Sequence, residues 1–383
     1  MRPLPLTLLS FASLLPALAL SAPTLSAQGT GIVLANGVDS HFDVPYSPVL
    51  IPRSGLTIEA WVKYDDATMP TGTYRWPTIC RQNPTPGRES YFLRVGASNT
   101  NNRSLEFKVN TLAGGRSTNF LFSPGQFANW THLAGTWDGS NLVIYVNGVA
   151  VRTLATSGGR IQDNGGVLRV GNGDVSSPGA ETWHGEIDEL RIWPFARSPA
   201  EIQATMNESL TTLPGGVMSF ALDNDYLDSS SGLAGTPSGA IAFTPNNLTL
   251  TARVAAAFPF GGATSTCTPA PTQSFGGPAV VGGSGFSWVA VNGPVNAPGL
   301  LALAFGGATT PLVVLGVSIW LDPVTLMSFG ASTNALGACK VPLAVPNSPS
   351  LSGAGISSQF VFVDAACGPQ GLVASDGLAV GIQ

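Results

Sequence analysis

The feature that most constrains this chain is an alternation of apolar side chains with a period of two, cut every few residues by glycine, proline or asparagine. In Leu56-Thr57-Ile58-Glu59-Ala60-Trp61-Val62, the residues Leu56, Ile58, Ala60 and Val62 fall on one side. Successive side chains of a strand point to opposite faces, so this spacing belongs to a half-buried strand and not to a helix. Leu142, Ile144 and Val146 repeat the pattern ahead of the turn pair Asn147-Gly148. Val167 to Val170, Gly185 to Trp193 and Val217 to Leu222 read as further strands. One helix is signposted. Ser198-Pro199-Ala200-Glu201 combines a capping box with proline at the first helical position, and the helix is expected to end near Asn207. The 46 glycines and 30 prolines supply the punctuation, and 44% hydrophobic residues are enough to bury real cores. The expected class is all-β.

Charge divides the chain. From Thr251 to Gln383 the formal charges are Arg253, Asp322, Lys340, Asp364 and Asp376 alone, whereas six of the eight tryptophans and all three histidines lie before residue 210. Residues 28–210 are therefore expected to form one domain and residues 251–383 a second, Gly-rich β-sandwich-like domain. Residues 211–250 read as a linker carrying one satellite strand. In the second domain the strand-like runs are Phe286 to Val291, Leu300 to Phe305, Leu312 to Leu321 and Gln359 to Val363. With 17 basic and 22 acidic residues the net charge is −5, which leaves no basic face for nucleic acid.

Residues 1–27 have the layout of a secretory signal peptide: Arg2, an apolar stretch from Leu6 to Leu20, and small residues before Gln28. The expectation is a secreted or cell-surface protein, with no membrane span in the mature chain because no later apolar run reaches about 18 residues. In an oxidising compartment one disulfide is expected among Cys267, Cys339 and Cys367, with Cys80 buried as a small hydrophobe. The spacing does not choose the pair.

Five motifs in order resemble the laminin-G-like domains of the concanavalin-A-like lectin/glucanase superfamily. They are Leu56 to Lys63; Trp130-Thr131-His132 through Trp137-Asp138-Gly139; Leu142 to Gly148; Leu168 to Gly171; and Gly185 to Trp193 followed by Ser198 to Ile202. The resemblance implies a jelly-roll sandwich of two antiparallel sheets over about residues 31–210. It also implies that His132 is a packed, hydrogen-bonded strand residue. Val341 to Asn347 has a loose similarity to a β-rich module at the carboxy end of exported bacterial proteins.

The same sandwich hosts sugar binders, protein binders and glycosidases, so function rests on the site. Glucanases of this superfamily carry Glu-x-Asp-x-Glu on one strand. Here the strand reads Glu186-Ile187-Asp188-Glu189-Leu190, with leucine at the third position. Strict alternation would put Glu186, Asp188, Leu190 and Ile192 on one face and Glu189 on the other. The motif is one acid short of the carboxyl pair that glycoside hydrolysis uses, so the chain is read as non-catalytic. A carboxylate at Asp188 on the core side needs a partner. Hydrogen bonds to backbone amides at the sandwich rim are one remedy. The other is a structural Ca²⁺ shared with Asp39, which lies in the segment where the family often carries an acidic turn. Sugar binding needs exposed rings beside planar polar groups. Tyr74, Arg75 and Trp76 in the loop Asp65 to Pro77, and Trp183 and His184 before the closing strand, are the candidate contacts, with Asn99 to Asn102 and Asp174 as polar additions. The expected role is recognition of a glycan or of a cell-surface or matrix protein. The alternatives are an inert structural spacer at the cell surface and, least favoured, a glucanase-type hydrolase.

Overall fold

The computed structural model describes residues 26–34, 39–66, 76–97, 103–176, 181–210, 218–253 and 257–383. The first unit is a sandwich of two sheets. The nine-stranded sheet contains β1 (Ser26–Leu34), β3 (Leu56–Tyr64), β8 (Thr131–Trp137), β9 (Asn141–Val146), β10 (Val149–Ala155), β12 (Gly185–Trp193), β13 (Glu208–Leu210), β14 (Met218–Phe220) and β16 (Ile241–Arg253). Its order is β10-β9-β8-β3-β12-β1-β16-β13, with β14 paired to β12. The seven-stranded sheet contains β2 (His41–Val44), β4 (Thr78–Gln82), β5 (Tyr91–Ala97), β6 (Arg103–Thr111), β7 (Gly114–Phe122), β11 (Leu168–Val170) and β15 (Thr236–Ser238), in the order β15-β2-β11-β4-β5-β6-β7.

The inward rows of both sheets meet in one core. Ile58, Ala60 and Val62 of β3 and Leu142 and Ile144 of β9 face Leu93, Leu105, Phe107 and Val109 of β5 and β6. Phe107 lies flat on Gly135 of β8: a Cβ at 135 would come 2.5 Å from the ring. Asn147 and Gly148 both take positive φ, the conformation a tight hairpin between β9 and β10 demands.

Residues 218–253 do more than link. β14, β15 and β16 each join a sheet of the first sandwich, and β16 pairs with β1 from Leu34↔Ile241 to Ser26↔Thr251. The turn residues of that segment masked its pairing strands.

The helix α1 (Pro199–Thr205) keeps its sequence-predicted cap. Ser198 Oγ accepts the Glu201 N–H, and Glu201 Oε2 accepts the Ser198 N–H at 2.7 Å. The helix packs Ile202 against Ala134 and Tyr145, on the outer face of the nine-stranded sheet.

The second unit adds a six-stranded sheet of β17 (Ala257–Phe260), β20 (Pro298–Ala304), β23 (Met327–Ser332), β25 (Gly355–Val363), β26 (Leu372–Ala374) and β27 (Gly377–Gly381). A three-stranded sheet of β18 (Thr272–Phe275), β19 (Ser287–Val291) and β24 (Cys339–Pro342) shares its core through Trp288, Leu301, Phe360 and Leu378. The run Leu312 to Leu321, read as one strand, is a hairpin of β21 (Gly307–Val314) and β22 (Val317–Leu321). It reverses at Leu315 and Gly316, both at positive φ. An apolar turn residue disguised the reversal. Cys267 and Cys367 form a disulfide, while Cys80 and Cys339 are buried thiols. Burial pushes the Cys80 thiol up to about 12, which keeps it unreactive.

The two units are joined by a polar clamp and an apolar seam. Trp193, Phe195 and Leu210 of the first pack on Val289 and Val291 of the second. Lys340 pairs with Glu201, which also accepts the Ser287 hydroxyl, and Arg197 donates to the Gly276 carbonyl at 2.9 Å.

Candidate functional site

Two outward faces of the first sandwich carry its charged side chains. On the nine-stranded sheet, Glu59 is fully buried. It accepts hydrogen bonds from Arg197 and Trp193, each at 2.7 Å, and Arg191 stands 3.7 Å away. Burial pushes the Glu59 carboxyl up, but Arg197, His132 and Arg191 outweigh it and hold the group below the usual carboxylate range. His132 is buried against Trp61 with ring centroids 5.5 Å apart, and desolvation drops its pKa to about 4. The resemblance implied a hydrogen-bonded His132. The backbone N–H bonds Asn147 Oδ1, the ring packs on Trp61 with Nδ1 unpartnered, and Nε2 stands 3.9 Å from Glu59 Oε2.

Strand β12 departs from strict alternation. Glu189 sits at positive φ, and the register with β3 slips between Asp188↔Trp61 and Arg191↔Glu59. This β-bulge adds one residue and reverses the parity beyond it. Ile187, Leu190 and Ile192 all enter the core, whereas Glu186 and Asp188 point outward. Asp188 and Leu190 therefore lie on opposite faces, contrary to the alternation reading. Glu186 pairs with Lys63 at 2.9 Å. Asp188 accepts from the Glu189 N–H at 2.9 Å and from Asn246 Nδ2 at 2.8 Å. Burial, with Glu189 alongside, pushes its pKa up to about 8.

The expected ion pair of ligands is not assembled. Asp39 Oδ1 is bonded to His41 Nδ1 at 3.0 Å and to Asn172 Nδ2 at 2.6 Å. Asp188 has the separate partners just named. Among the described residues no group of three or more His, Cys, Asp or Glu side chains is placed to hold a metal.

The other face belongs to the seven-stranded sheet. Cross-strand registry aligns Asp43, Arg169, Arg81, Phe92, Lys108 and Ser117 in one transverse row. At its β2–β4 end the row is covered. Arg169 binds Asp43 through two hydrogen bonds of 2.9 and 2.8 Å. Burial acts against the Asp43 carboxylate, yet Arg169 and His41 bring its pKa down to about 2. Arg81 bonds Glu89 at 3.1 Å, with Asp174 and Glu181 each 3.8 Å away.

Toward β7 the face opens. Arg94 lies over Phe92 at 4.2 Å and beside the half-buried Trp76 ring at 5.7 Å, while bonding Glu106 at 2.8 Å. Lys108 bonds Glu89 at 2.8 Å, and Ser117, Asn119 and Leu121 stand exposed on β7. The result is a Trp76–Arg94 platform, with the Phe92 ring buried beneath Arg94 and Lys108, bordered by carboxylate, amide and hydroxyl groups.

Of the sequence candidates, Trp76 is at this platform; Tyr74, Arg75 and Asn99 to Asn102 lie outside the described residues. Trp183 and His184 are buried, contrary to expectation. Trp183 packs on Tyr64 with centroids 5.0 Å apart and donates to the Lys63 carbonyl, so neither residue meets a ligand. Phe92, Arg94, Glu106 and Lys108 were missed. Their signal was the polar half of the alternation Ser104-Leu105-Glu106-Phe107-Lys108-Val109.

These features define a jelly-roll sandwich module with one sealed and one partly open outer face. Residues 36–203 match the laminin-G family model of the concanavalin A-like lectin/glucanases superfamily. The chain is 25% identical over 176 residues to mouse pappalysin-1, covering 41% of this chain and a tenth of that protein's length. Among solved structures, a putative carbohydrate binding protein from Bacteroides ovatus is 20% identical with a TM-score of 0.42, over 58% of this chain and 61% of that one. The SAP-like pentraxin of Limulus polyphemus is 14% identical with a TM-score of 0.39, over 58% and 97% of the two chains. No described helix is long and apolar enough to cross a membrane.

Proposed function

We propose that this protein is an exported, non-catalytic binding protein that recognises a glycan through the open outer face of the seven-stranded sheet. The observation that carries this reading is the platform itself. Sugar rings present apolar C–H patches beside hydroxyls; the half-buried Trp76 ring lies 5.7 Å from the Arg94 guanidinium, which bonds Glu106, and Asn119 stands exposed opposite Glu106 on β7. The reading without catalysis is supported by β12, where the position aligned with the third acid of the glucanase motif is Leu190, buried in the core. The Bacteroides ovatus protein's description as a putative carbohydrate binding protein agrees with this reading without carrying it.

A glycan array probed with the mature chain, then with Trp76→Ala/Arg94→Ala, tests it. The expected result is binding to at least one glycan, lost at least tenfold in the double variant. An array blank for the wild type favours the structural spacer. Turnover of a bound polysaccharide that disappears in Asp188→Asn would restore the hydrolase reading.

A further inference from the structure

A cleft of about 570 Å³ lies where the two units meet. It is lined from the first unit by Arg53 and Arg160 and from the second by the loop Asn292 to Pro298 and the Cys267–Cys367 disulfide. Both arginines are free of carboxylate partners among the described residues. Lys63, Arg81, Arg94, Arg103, Lys108, Arg169, Arg191, Arg197 and Lys340 all pair with carboxylates. Arg53 and Arg160, like Arg88, Arg116 and Arg152, form no ion pair with any described carboxylate, but these two alone among them line the cleft. The one acid lining the cleft is Asp364, and it is occupied: its Oδ1 accepts the Ala366 N–H at 2.9 Å and the Cys367 N–H at 3.3 Å.

The cleft is also held in shape. Ser54, next to Arg53, is buried; its hydroxyl accepts the Asn292 N–H at 2.9 Å and donates to the Leu336 carbonyl at 3.2 Å. The wall from one unit is thereby pinned to the wall from the other. Asn292 and Asn296 both take positive φ, their backbone N–H groups are spent on Ser54 and Asn334, and their side-chain amides line the cleft without a described hydrogen-bond partner. Pro294, Val295 and Val373 add apolar surface.

Two planar guanidinium groups suit a multi-oxygen anion, planar amides suit hydroxyls, and apolar walls suit C–H faces. We propose that this interdomain cleft is a second binding site, distinct from the sheet-face platform, and that it takes an acidic oligosaccharide through its carboxylate or sulfate groups. A neutral sugar leaves both arginines unsatisfied, and a bare anion leaves the amides and the apolar walls unused.

The test is calorimetric titration of the mature chain with an oligogalacturonide, a heparin-derived oligosaccharide, a neutral malto-oligosaccharide and inorganic phosphate. One or both acidic oligosaccharides are expected to bind, the stronger identifying carboxylate or sulfate, with affinity falling as salt is raised. Arg53→Gln/Arg160→Gln, both side chains being at least partly exposed, is expected to melt like the wild type and to lose at least tenfold in affinity. Asp364→Asn, which removes the opposing charge, is expected to bind a few-fold more tightly. Trp76→Ala/Arg94→Ala is expected to leave this binding unchanged, which separates it from the platform. The proposal falls if neither acidic oligosaccharide binds, if the arginine double variant binds as the wild type does, or if phosphate binds as tightly as the oligosaccharides.

Discussion

The two sheets of the first sandwich bury equivalent inner faces but treat their outer faces oppositely. The nine-stranded sheet turns outward a row of groups that need company: Glu59, Trp61, His132 and Arg191. It covers them with α1, with Arg197 and with the second unit. The seven-stranded sheet turns outward Asp43, Arg169, Arg81, Phe92 and Lys108; it covers the β2–β4 end and, through Arg94 and Lys108, the Phe92 ring, and leaves the β7 end open. The contrast shows that charge on a strand does not by itself mark a solvent face. Glu59 is as polar as Glu106, yet one is sealed with two arginines and the other stays half-exposed against Arg94. What separates them is whether enough partners converge to replace water.

The sharpest way to break the comparison is to remove one charge from each face. Glu59→Ala leaves Arg191 and Arg197 buried without their shared carboxylate, and a loss of about 3–5 kcal/mol in urea unfolding is expected. A loss below about 1 kcal/mol would mean that the face is wetter than it looks.

A second effect, spread over pH rather than concentrated in one variant, is expected from acid–base linkage. Asp188 has its folded pKa raised to about 8, so between about pH 4 and 8 the native state holds a proton that the unfolded chain releases. Its contribution is greatest at low pH and is lost as pH rises through about 8. Asp43, lowered to about 2, works in the opposite sense: its contribution is present above about pH 4 and is lost as pH falls through about 2. Unfolding free energies across pH 3–9 should therefore decline less steeply toward high pH in Asp188→Asn. An unchanged profile would show that Asp188 is ionised throughout, with Asn246 and the Glu189 N–H sufficient to hold it.

The smallest effect on stability belongs to the open face. Arg94→Ala removes a half-exposed pair with Glu106 and is expected to cost under about 1 kcal/mol. Its stacking on Phe92 sits in the proposed glycan platform, so binding should fall while the melting temperature hardly moves.

Much of this was legible in the sequence. The alternation in β3 and β9, the Asn147-Gly148 turn and the Ser198 capping box each encode their structure locally, within a few residues. What escaped depends on partners distant in the chain. β16 falls largely in what reads as linker until β1, over 200 residues away, gives it a ladder to join. The hairpin at Leu315-Gly316 lacks the polar turn residues that advertise a reversal. Trp183 looks like a surface ring because polar residues surround it in sequence, whereas Tyr64 and the Lys63 carbonyl enclose it in space. The platform was half visible: Trp76 by its loop, and Arg94 only once β5 was laid beside β6.

The extra residue in β12 has a consequence for any attempt to turn this scaffold into a hydrolase. Writing glutamate at position 190 completes the glucanase spelling on paper, but it delivers the new acid among Ile187, Ile192 and Phe220 rather than beside Asp188. A single codon change therefore damages the interior without assembling a reactive pair. The kink at Glu189 would have to be deleted first, and the strand re-phased against β3, before chemistry could be grafted there.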